Sequence, residues 1–306
     1  MLHREFRRKV EASLRSSGRE DLDHLCRYVL IIDMISRIAR PDMKVLDVAS
    51  SGQVLPALRD VIGFQDIRVT NGGPGCESAV EELHLPPSKT GAVCSYPYDI
   101  FDIEKTFPYP NETFDLIIFT EVLEHITRDP MHTMSELNRI TKVGGWLMLE
   151  TPNSVSLRAV IKCVRGDHPQ VWSQYLSDGS RDRHNREYTP EEVKQLINAA
   201  GYEVHEMMTA NDSYVSTPSS VPKRIGKWGA AKMLSALSVL LGNYVSSAMR
   251  GEAIYVTAKK LRSVQDRFPE FLYSTQRVPS VRAPTAPVKA AAGRPLPELI
   301  ESGSLR

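Results

Sequence analysis

Apolar residues recur along the chain with two different periods, and the period changes near residue 44. In residues 1–40 they are three or four positions apart, which predicts amphipathic helices. The residues that form this apolar face are Leu22, Leu25, Val29, Ile32, Ile35 and Ile38. From residue 44, short apolar runs alternate with segments of helix length, a pattern that predicts a parallel sheet with helical crossovers. The runs are KVLDVA (44–49), DIRVT (66–70), FDLIIFT (114–120), GWLMLETP (145–152), YEVHEMM (202–208) and EAIYVTAKK (252–260).

Two segments depart from this alternation. Residues 211–250 separate the last two predicted strands, and their second half carries apolar residues on one helical face, from Met233 to Ala248, behind basic residues at 223–232. This pattern is more typical of a helix packed on the domain or on a second subunit than of a helix at an anionic membrane surface, which is the alternative. From residue 262 the chain is rich in Pro, Ala and Ser, so we expect 262–306 to be largely disordered. The predicted units are helices over 1–40, an α/β domain over 41–261 that includes the insertion, and this tail.

Composition narrows the class of protein. The 306 residues are 42% hydrophobic and 25% charged, with a formal net charge of +1, so the chain can bury a full core but lacks the strong positive charge of a general nucleic-acid binder. The four cysteines form no CxxC pair, which favours reduced thiols over a disulfide framework. A charged N-terminus and the absence of an apolar run of about 20 residues predict a soluble, cytoplasmic protein with at most peripheral membrane contact.

The stretch Phe101–Asn153 holds most of the chemical information. It reads as a loop, a buried strand, a helix that begins near Pro130, a Gly144-Gly145 turn and another buried strand. Ligands of open α/β sheets bind at the carboxyl ends of the strands. Glu121 and the ETPN loop lie at such ends.

The order of motifs within and after this stretch carries a resemblance. The series FPYPNETFDLIIFTEVLEH, DP, KVGG and TPN, followed by RHNREYTPEEVKQLINAAGYEV at 183–204, resembles class I S-adenosylmethionine-dependent methyltransferases, especially bacterial enzymes of the glycan and small-molecule type. The likeness covers about residues 40–210 and the final strand. It implies a Rossmann-like, seven-stranded, mostly parallel sheet with helices on both faces, and S-adenosylmethionine as cofactor. The helices of residues 1–40 would then form a lid over the acceptor.

The segment KVLDVASSGQ (44–53) takes the place of the glycine-rich cofactor loop of that family. Ala49, Ser51 and Gln53 stand at its glycine positions; the small residues still permit close approach of a ligand, whereas Gln53 departs from the pattern. Asn71 replaces the acidic residue that binds the ribose, and offers an acceptor without charge. Taken alone, the loop reads as a connector with an Asx turn. The resemblance implies that the cofactor is bound by Asp47, Ala49, Ser50, Ser51, Gly52, Asn71, Asp102, Ile103, Thr120 and Glu121.

Glu121, Glu124 and His125 form an ExxEH cluster that we place at the start of a helix. It resembles the cluster of small-RNA 2′-O-methyltransferases, in which a distant histidine completes a metal site, and His184 stands at a suitable distance along the chain. The alternative is an ordinary strand-to-helix junction. Histidine and carboxylate at such spacing are common without a metal, so we expect none.

His184 is the candidate catalytic residue. Methylation of a hydroxyl requires removal of its proton, and histidine suits that role near neutral pH. The alternative is that RDRHNREYT is only a surface loop before a helix capped by Thr189 and begun by Pro190.

These residues predict a methyltransferase that acts on a hydroxyl of a sugar, a glycan or another small molecule, including lipid-linked acceptors. Two alternatives stay open. The replaced glycines of the 44–53 loop allow a non-catalytic binding or scaffold protein. The ExxEH cluster allows a nucleic-acid 2′-O-methyltransferase, although the near-neutral charge argues against nucleic acid as a partner.

Overall fold

A computed structural model describes residues 4–16, 24–50, 52–73, 76–85, 94–175, 177, 183–211, 229, 232–237, 239 and 246–274. Its centre is an eight-stranded sheet. The strands are β1 (Lys44–Asp47), β2 (Asp66–Asn71), β3 (Ala79–Leu85), β4 (Cys94–Ile100), β5 (Phe114–Thr120), β6 (Thr141–Pro152), β7 (Tyr202–Ala210) and β8 (Ala253–Lys260). The helices are α1 (Arg4–Ser16), α2 (Leu25–Ser36), α3 (Leu55–Ala57, continued by a π-helical turn over Leu58–Ile62), α4 (Pro130–Ile140), α5 (Leu157–Val164) and α6 (Pro190–Ala199).

The strand order is β3-β4-β2-β1-β5-β6-β8-β7. The five strands from β4 to β6 in this order are parallel, while β3 and β8 run antiparallel to their neighbours. The carboxyl ends of the parallel strands therefore meet at one edge of the sheet, which we call the carboxyl edge. This confirms the Rossmann-like, mostly parallel α/β architecture.

The sheet has one strand more than the seven expected, and the apolar runs did not show β3 or β4. Strand β3 forms the outer edge, and from Ala79 to His84 its side chains are mostly exposed, with Val80 78% exposed. A strand that faces water on both sides carries no apolar periodicity. Strand β4 contains Pro97, a residue that argues against a strand in sequence reading, and here it pairs with that edge strand at Glu82.

The core lies on both faces of the sheet, because successive side chains of a strand point to opposite sides. On one face Leu46 and Ile117 belong to the cluster that includes α4 and α6. On the other, Val45 and Ile118 belong to the cluster that includes α1, α2 and α3. The helices predicted within residues 1–40 are thus present and pack on the domain.

The predicted start signals of two helices are confirmed. Asp129 caps α4 by accepting from the His132 amide at 3.0 Å, with Pro130 in the first turn. Thr189 caps α6 in a capping box with Glu192. The placement of Glu121–His125 on a helix was wrong, because only Leu123–His125 form a 3₁₀ turn and α4 begins at Pro130.

The chain beyond β8 packs on the domain as far as Ser274. The guanidinium of Arg267 lies 2.6 Å from the Asp129 carboxylate, and the Tyr273 hydroxyl donates to the same carboxylate while accepting from the Met131 amide. The expectation of disorder was therefore wrong for residues 262–274, which pack on the domain. Residues 275–306 lie outside the described residues.

Most of the 211–250 insertion also lies outside them. Residues 232–237 are helical, and a 3₁₀ turn spans Ser247–Met249. Within the described ranges, no helix has both the length and the apolar content needed to cross a bilayer.

Candidate active site

The loop after β1 is held against the end of β2. The amide of Ala49 donates to the Thr70 hydroxyl at 3.2 Å, and the amide of Ser50 donates to the Thr70 carbonyl at 2.9 Å. Ala49 and Gly52 have φ angles of +53° and +84°, a left-handed backbone that costs a non-glycine residue roughly 1 kcal/mol. Ala49 thus adopts the backbone conformation that favours glycine. The neighbouring Ser51 lies outside the described residues.

Asp47 ends β1 beneath this loop. The side chain is buried, with 2% of the residue exposed, and it is hydrogen-bonded to the Ser50 side chain. Burial raises the pKa of Asp47 to about 7, against the opposing effect of the Ser50 bond. Within the described structure its Oδ2 atom has no hydrogen-bond partner. A buried acceptor without a donor costs about 1–3 kcal/mol, so this atom fits a ligand that brings a donor.

Asn71 lies at the next strand end. Its side-chain oxygen accepts from the Gly72 amide at 2.8 Å, and its carbonyl accepts from the Phe101 amide at 3.1 Å. An added Cβ on Gly72 would lie 2.4 Å from the Phe101 carbonyl oxygen. The loops after β2 and β4 are therefore packed closely together, which places Asn71 beside the residues that follow β4.

Asp102 and Ile103 follow β4 and are buried, at 4% and 8% exposure. The Asp102 Oδ1 atom accepts from the Glu104 amide at 2.9 Å, and the Ile103 carbonyl accepts from the Thr133 hydroxyl at 3.1 Å. Both residues therefore lie in the loop between β4 and β5, and Ile103 joins this loop to α4. Their predicted contact with an adenine stays a prediction, as do the other cofactor contacts.

An arginine from α2 reaches the central strand ends. Thr120 ends β5 opposite Glu150 of β6, and Glu121 follows with a left-handed φ of +56°. The Arg27 guanidinium lies 2.8 Å from the Glu121 carboxylate and 3.7 Å from that of Glu150. Sequence reasoning missed Arg27, and the available signal was a single cation in the apolar stretch LCRYVLIIDMIS. This contact brings the N-terminal helices to the carboxyl edge.

Glu124 is the centre of a buried polar cluster. It is fully buried; its Oε2 atom accepts from the Thr151 hydroxyl at 2.8 Å, and its Oε1 atom has no hydrogen bond among the described residues. The Nε2 atoms of His125 and His184 lie 3.8 and 4.0 Å from that Oε1. Burial, and secondly the charge of Glu121, raise the pKa of Glu124 well above its usual range. The fold thus brings His184 to the ExxEH cluster.

His184 itself is 4% exposed. Its Nδ1 atom lies 2.8 Å from Oε1 of Glu187, and its ring makes edge contacts with His125 and Trp172 at centroid distances of 5.0 and 6.0 Å. Because a carboxylate only accepts hydrogen bonds, Nδ1–H donates to Glu187 and Nε2 of the neutral ring is left as a proton acceptor. His184 is therefore not part of a simple surface loop. Sequence reasoning assigned no role to Glu187, although it lies within the quoted REYT motif.

Backbone contacts fix the loop that carries His184. The Glu124 carbonyl accepts from the amides of Asn185 and Arg186 at 2.7 and 3.3 Å, and the Asn185 side chain donates to the His125 carbonyl at 2.8 Å. On its far side the loop pairs with the end of β6 through Asn153 and Tyr188. These bonds hold the two histidines in a fixed relation.

The chain matches one family model and is similar to several known proteins. Residues 20–207 match the model of a family described as a methyltransferase domain. A highly reducing polyketide synthase of Penicillium polonicum is 26% identical over 142 residues, which are 44% of this chain but only 5% of the synthase. An S-adenosylmethionine-dependent methyltransferase of Thermotoga maritima aligns over 83% of this chain and 99% of its own, with 15% identity and a TM-score of 0.45. A second, from Archaeoglobus fulgidus, aligns over 76% and 94%, with 14% identity and a TM-score of 0.44.

Proposed function

The chain belongs to the methyltransferase-domain family, and we propose that it uses S-adenosylmethionine to methylate a hydroxyl group of a sugar, a glycan or another small molecule. The observation that carries the choice of a hydroxyl is the pairing of His184 with Glu187. A hydroxyl must lose its proton as the methyl group arrives, and a buried histidine oriented by a carboxylate is suited to accept it.

S-adenosylmethionine, when bound, supplies the activated methyl group. The chain's contribution on this side is binding and orientation. The Oδ2 atom of Asp47 offers a buried acceptor, and the left-handed backbone at Ala49 and Gly52 lets the loop lie close to a ligand. The residues that would hold the cofactor are Asp47, Ala49, Ser50, Ser51, Gly52, Asn71, Asp102, Ile103, Thr120 and Glu121.

On the acceptor side, we assign the proton transfer to Nε2 of His184. Glu187 keeps the ring in the tautomer that leaves this nitrogen free of hydrogen, and its charge stabilises the imidazolium that forms. Glu124 and His125 adjoin the same nitrogen. Because the cluster is buried, water competes little with the acceptor hydroxyl for it.

One observation favours a second version of this chemistry, in which a divalent cation activates the hydroxyl. Glu124, His125 and His184 each offer one ligand atom, and these three atoms lie within 4.8 Å of one another. Carboxylate and imidazole groups together are a common donor set for transition metals. Glu187 would then be the outer carboxylate that orients a ligating histidine. The metal-free base remains our first proposal because the His184–Glu187 contact supplies a proton acceptor without an ion.

Two measurements test these proposals. Incubation with S-adenosylmethionine that carries a deuterated methyl group, against metabolite, glycan and RNA pools, should place the label on a hydroxyl of a small molecule or glycan, as read by mass spectrometry. Label on an amine or on RNA would contradict the proposed acceptor. Treatment with a chelator should leave activity unchanged; loss of activity that Mn²⁺ or Zn²⁺ restores would assign Glu124, His125 and His184 to a metal.

A further inference from the structure

A cavity of about 520 Å³ opens at the carboxyl edge of the sheet, among residues that follow β6, end β7 and precede β8. Helix α5, the end of β7 and the turn before β8 form its walls. Its polar lining includes Arg158, Lys162, Arg165, Thr209, Asn211 and Arg250. None of these residues entered the proposed methyl-transfer chemistry, and the volume is that of a small-molecule site.

The charge of this cavity, which we call the α5 cavity, is mainly positive. Arg158, Lys162 and Arg165 lie four and three positions apart on α5 and the residue after it, so they share one helix face. Arg250 adds a fourth cation, and Glu252 is the one carboxylate in the described lining.

Two of the four cations are already engaged. Arg165 lies 3.4 Å from the Asp167 carboxylate, and the Lys162 ammonium donates to the Gln170 carbonyl at 2.7 Å. Neither Arg158 nor Arg250 has an ion pair with a carboxylate within the described part of the chain. The two arginines are therefore the groups whose charge is left for a ligand.

Both arginines also have buried nitrogens without a hydrogen bond. These are Nη2 of Arg158 and Nε of Arg250, judged within the described residues. Arg250 is only 9% exposed, and its Nη1 atom donates to the Val155 carbonyl at 2.9 Å, which fixes the guanidinium. Buried N–H groups of a cation are costly unless they find an acceptor.

We infer that the α5 cavity binds the phosphate or diphosphate group of the methyl acceptor, an inference that rests on the proposed function. The planar forks of two guanidiniums match phosphate oxygens, with both charge and hydrogen bonds. The distance between the α5 cavity and the end of β5 also fits a phosphorylated acceptor. Neighbouring strands are about 4.8 Å apart, so the step from β5 across β6 and β8 to β7 spans roughly 10–15 Å. That is the reach of a sugar joined to a diphosphate.

The two sites are also joined directly. Asn153, at the end of β6, donates to the carbonyls of Met249 and Gly251 at 3.0 and 2.7 Å, beside Arg250. The same residue pairs with Tyr188 in the loop that carries His184. The segments that form the two sites are therefore linked through the buried Asn153.

Pyrophosphate is the probe for this inference. Calorimetric titration of the full chain should show one saturable site, and Arg158→Gln should weaken it about 10-fold or more, the usual effect of losing a charged hydrogen bond. Arg40→Gln is the matched control, because Arg40 is an exposed arginine beside the amino end of β1, with 61% of its side chain exposed. Thermal unfolding checks that each variant is folded, and Arg158→Ala, which removes the same guanidinium, replaces Arg158→Gln if the latter is not.

Absence of saturable binding at millimolar pyrophosphate would overturn the inference, and so would equal binding by wild type and the α5 variants. Competition by a nucleoside diphosphate or by a short-chain prenyl diphosphate identifies whether a free nucleotide or a lipid-linked group is the natural source. Because these titrations involve no methyl transfer, failure here leaves the hydroxyl proposal standing. Failure of the labelling experiment leaves the anion site standing.

Discussion

The Nδ1 atom of His184 lies 2.8 Å from Oε1 of Glu187, three residues later, and this contact decides which ring nitrogen faces the buried cluster. The Glu187 carboxylate also accepts from the Val171 amide, so its own position is fixed. Nε2 is thereby directed towards Glu124 and His125. This pairing favours the tautomer in which Nδ1 carries the hydrogen and Nε2 can accept a proton.

His184→Ala should lower turnover about 100- to 10,000-fold, the usual effect of removing a general base, and leave the affinity for S-adenosylmethionine unchanged. Steady-state kinetics and calorimetry measure the two quantities. His168→Ala is the control, because His168 is exposed and lies outside the cluster. Full activity of His184→Ala would reduce the loop to a helix-capping role.

Glu187→Ala should lower turnover roughly 10- to 100-fold, by analogy with carboxylates that orient metal-bound histidines. Glu187→Gln should fall between Glu187→Ala and wild type, because the amide oxygen still accepts from Nδ1–H but carries no charge. Turnover is measured together with the unfolding midpoint. If the two variants lose activity only in proportion to lost stability, Glu187 is structural.

Gly52→Trp should abolish or strongly weaken S-adenosylmethionine binding, because Gly52 is buried in the loop after β1 and has a φ of +84°. Gly166→Trp is the matched control: its φ is +82°, and an added Cβ would meet nothing within 4 Å. Both variants place a tryptophan at a residue with a similar left-handed φ. Calorimetry should therefore show a lower affinity for S-adenosylmethionine in Gly52→Trp than in Gly166→Trp. Equal affinities would place the cofactor elsewhere.

Asp47→Asn should flatten the pH dependence of stability in the cofactor-free protein. Burial raises the pKa of Asp47 from 3.8 to about 7, so between these values the folded chain keeps a proton that the unfolded chain has lost. The contribution of Asp47 to stability therefore decreases as pH rises from 3.8 to about 7, by up to about 4 kcal/mol. Urea unfolding at pH 5 and pH 8 should show a smaller difference for Asp47→Asn than for wild type. An unchanged difference would contradict the raised pKa.

The helix over 232–237 should bind anionic membranes, because Met233 and Leu237 on it are 68% and 48% exposed and basic residues precede it. In liposome flotation, wild type should rise with anionic vesicles but not with neutral ones. Met233→Asp combined with Leu237→Asp should abolish this, and Val143→Asp, at another exposed apolar position, should not. Wild type that stays in the soluble fraction would assign the helix to protein packing.

The sequence by itself determined those features that depend on neighbouring residues. The apolar runs located β1, β2, β5, β6, β7 and β8, because a buried strand must be apolar along its own length. Pro130 and Thr189-Pro190 located two helix starts, since proline is favoured in the first turn of a helix and a capping bond joins residues three positions apart. The ordered motifs of 101–204 also identified the enzyme class.

The tertiary structure decided what depends on distant parts of the chain. Strand β3 left no apolar pattern because its side chains face water, so only its pairing with β4 reveals it. Arg27 meets Glu121 because α2 packs against the sheet close to the carboxyl edge. His184 meets Glu124, 60 residues earlier, because backbone hydrogen bonds join their two loops. Local preference cannot specify such contacts, since strand order and crossover geometry determine which chain segments become neighbours in space.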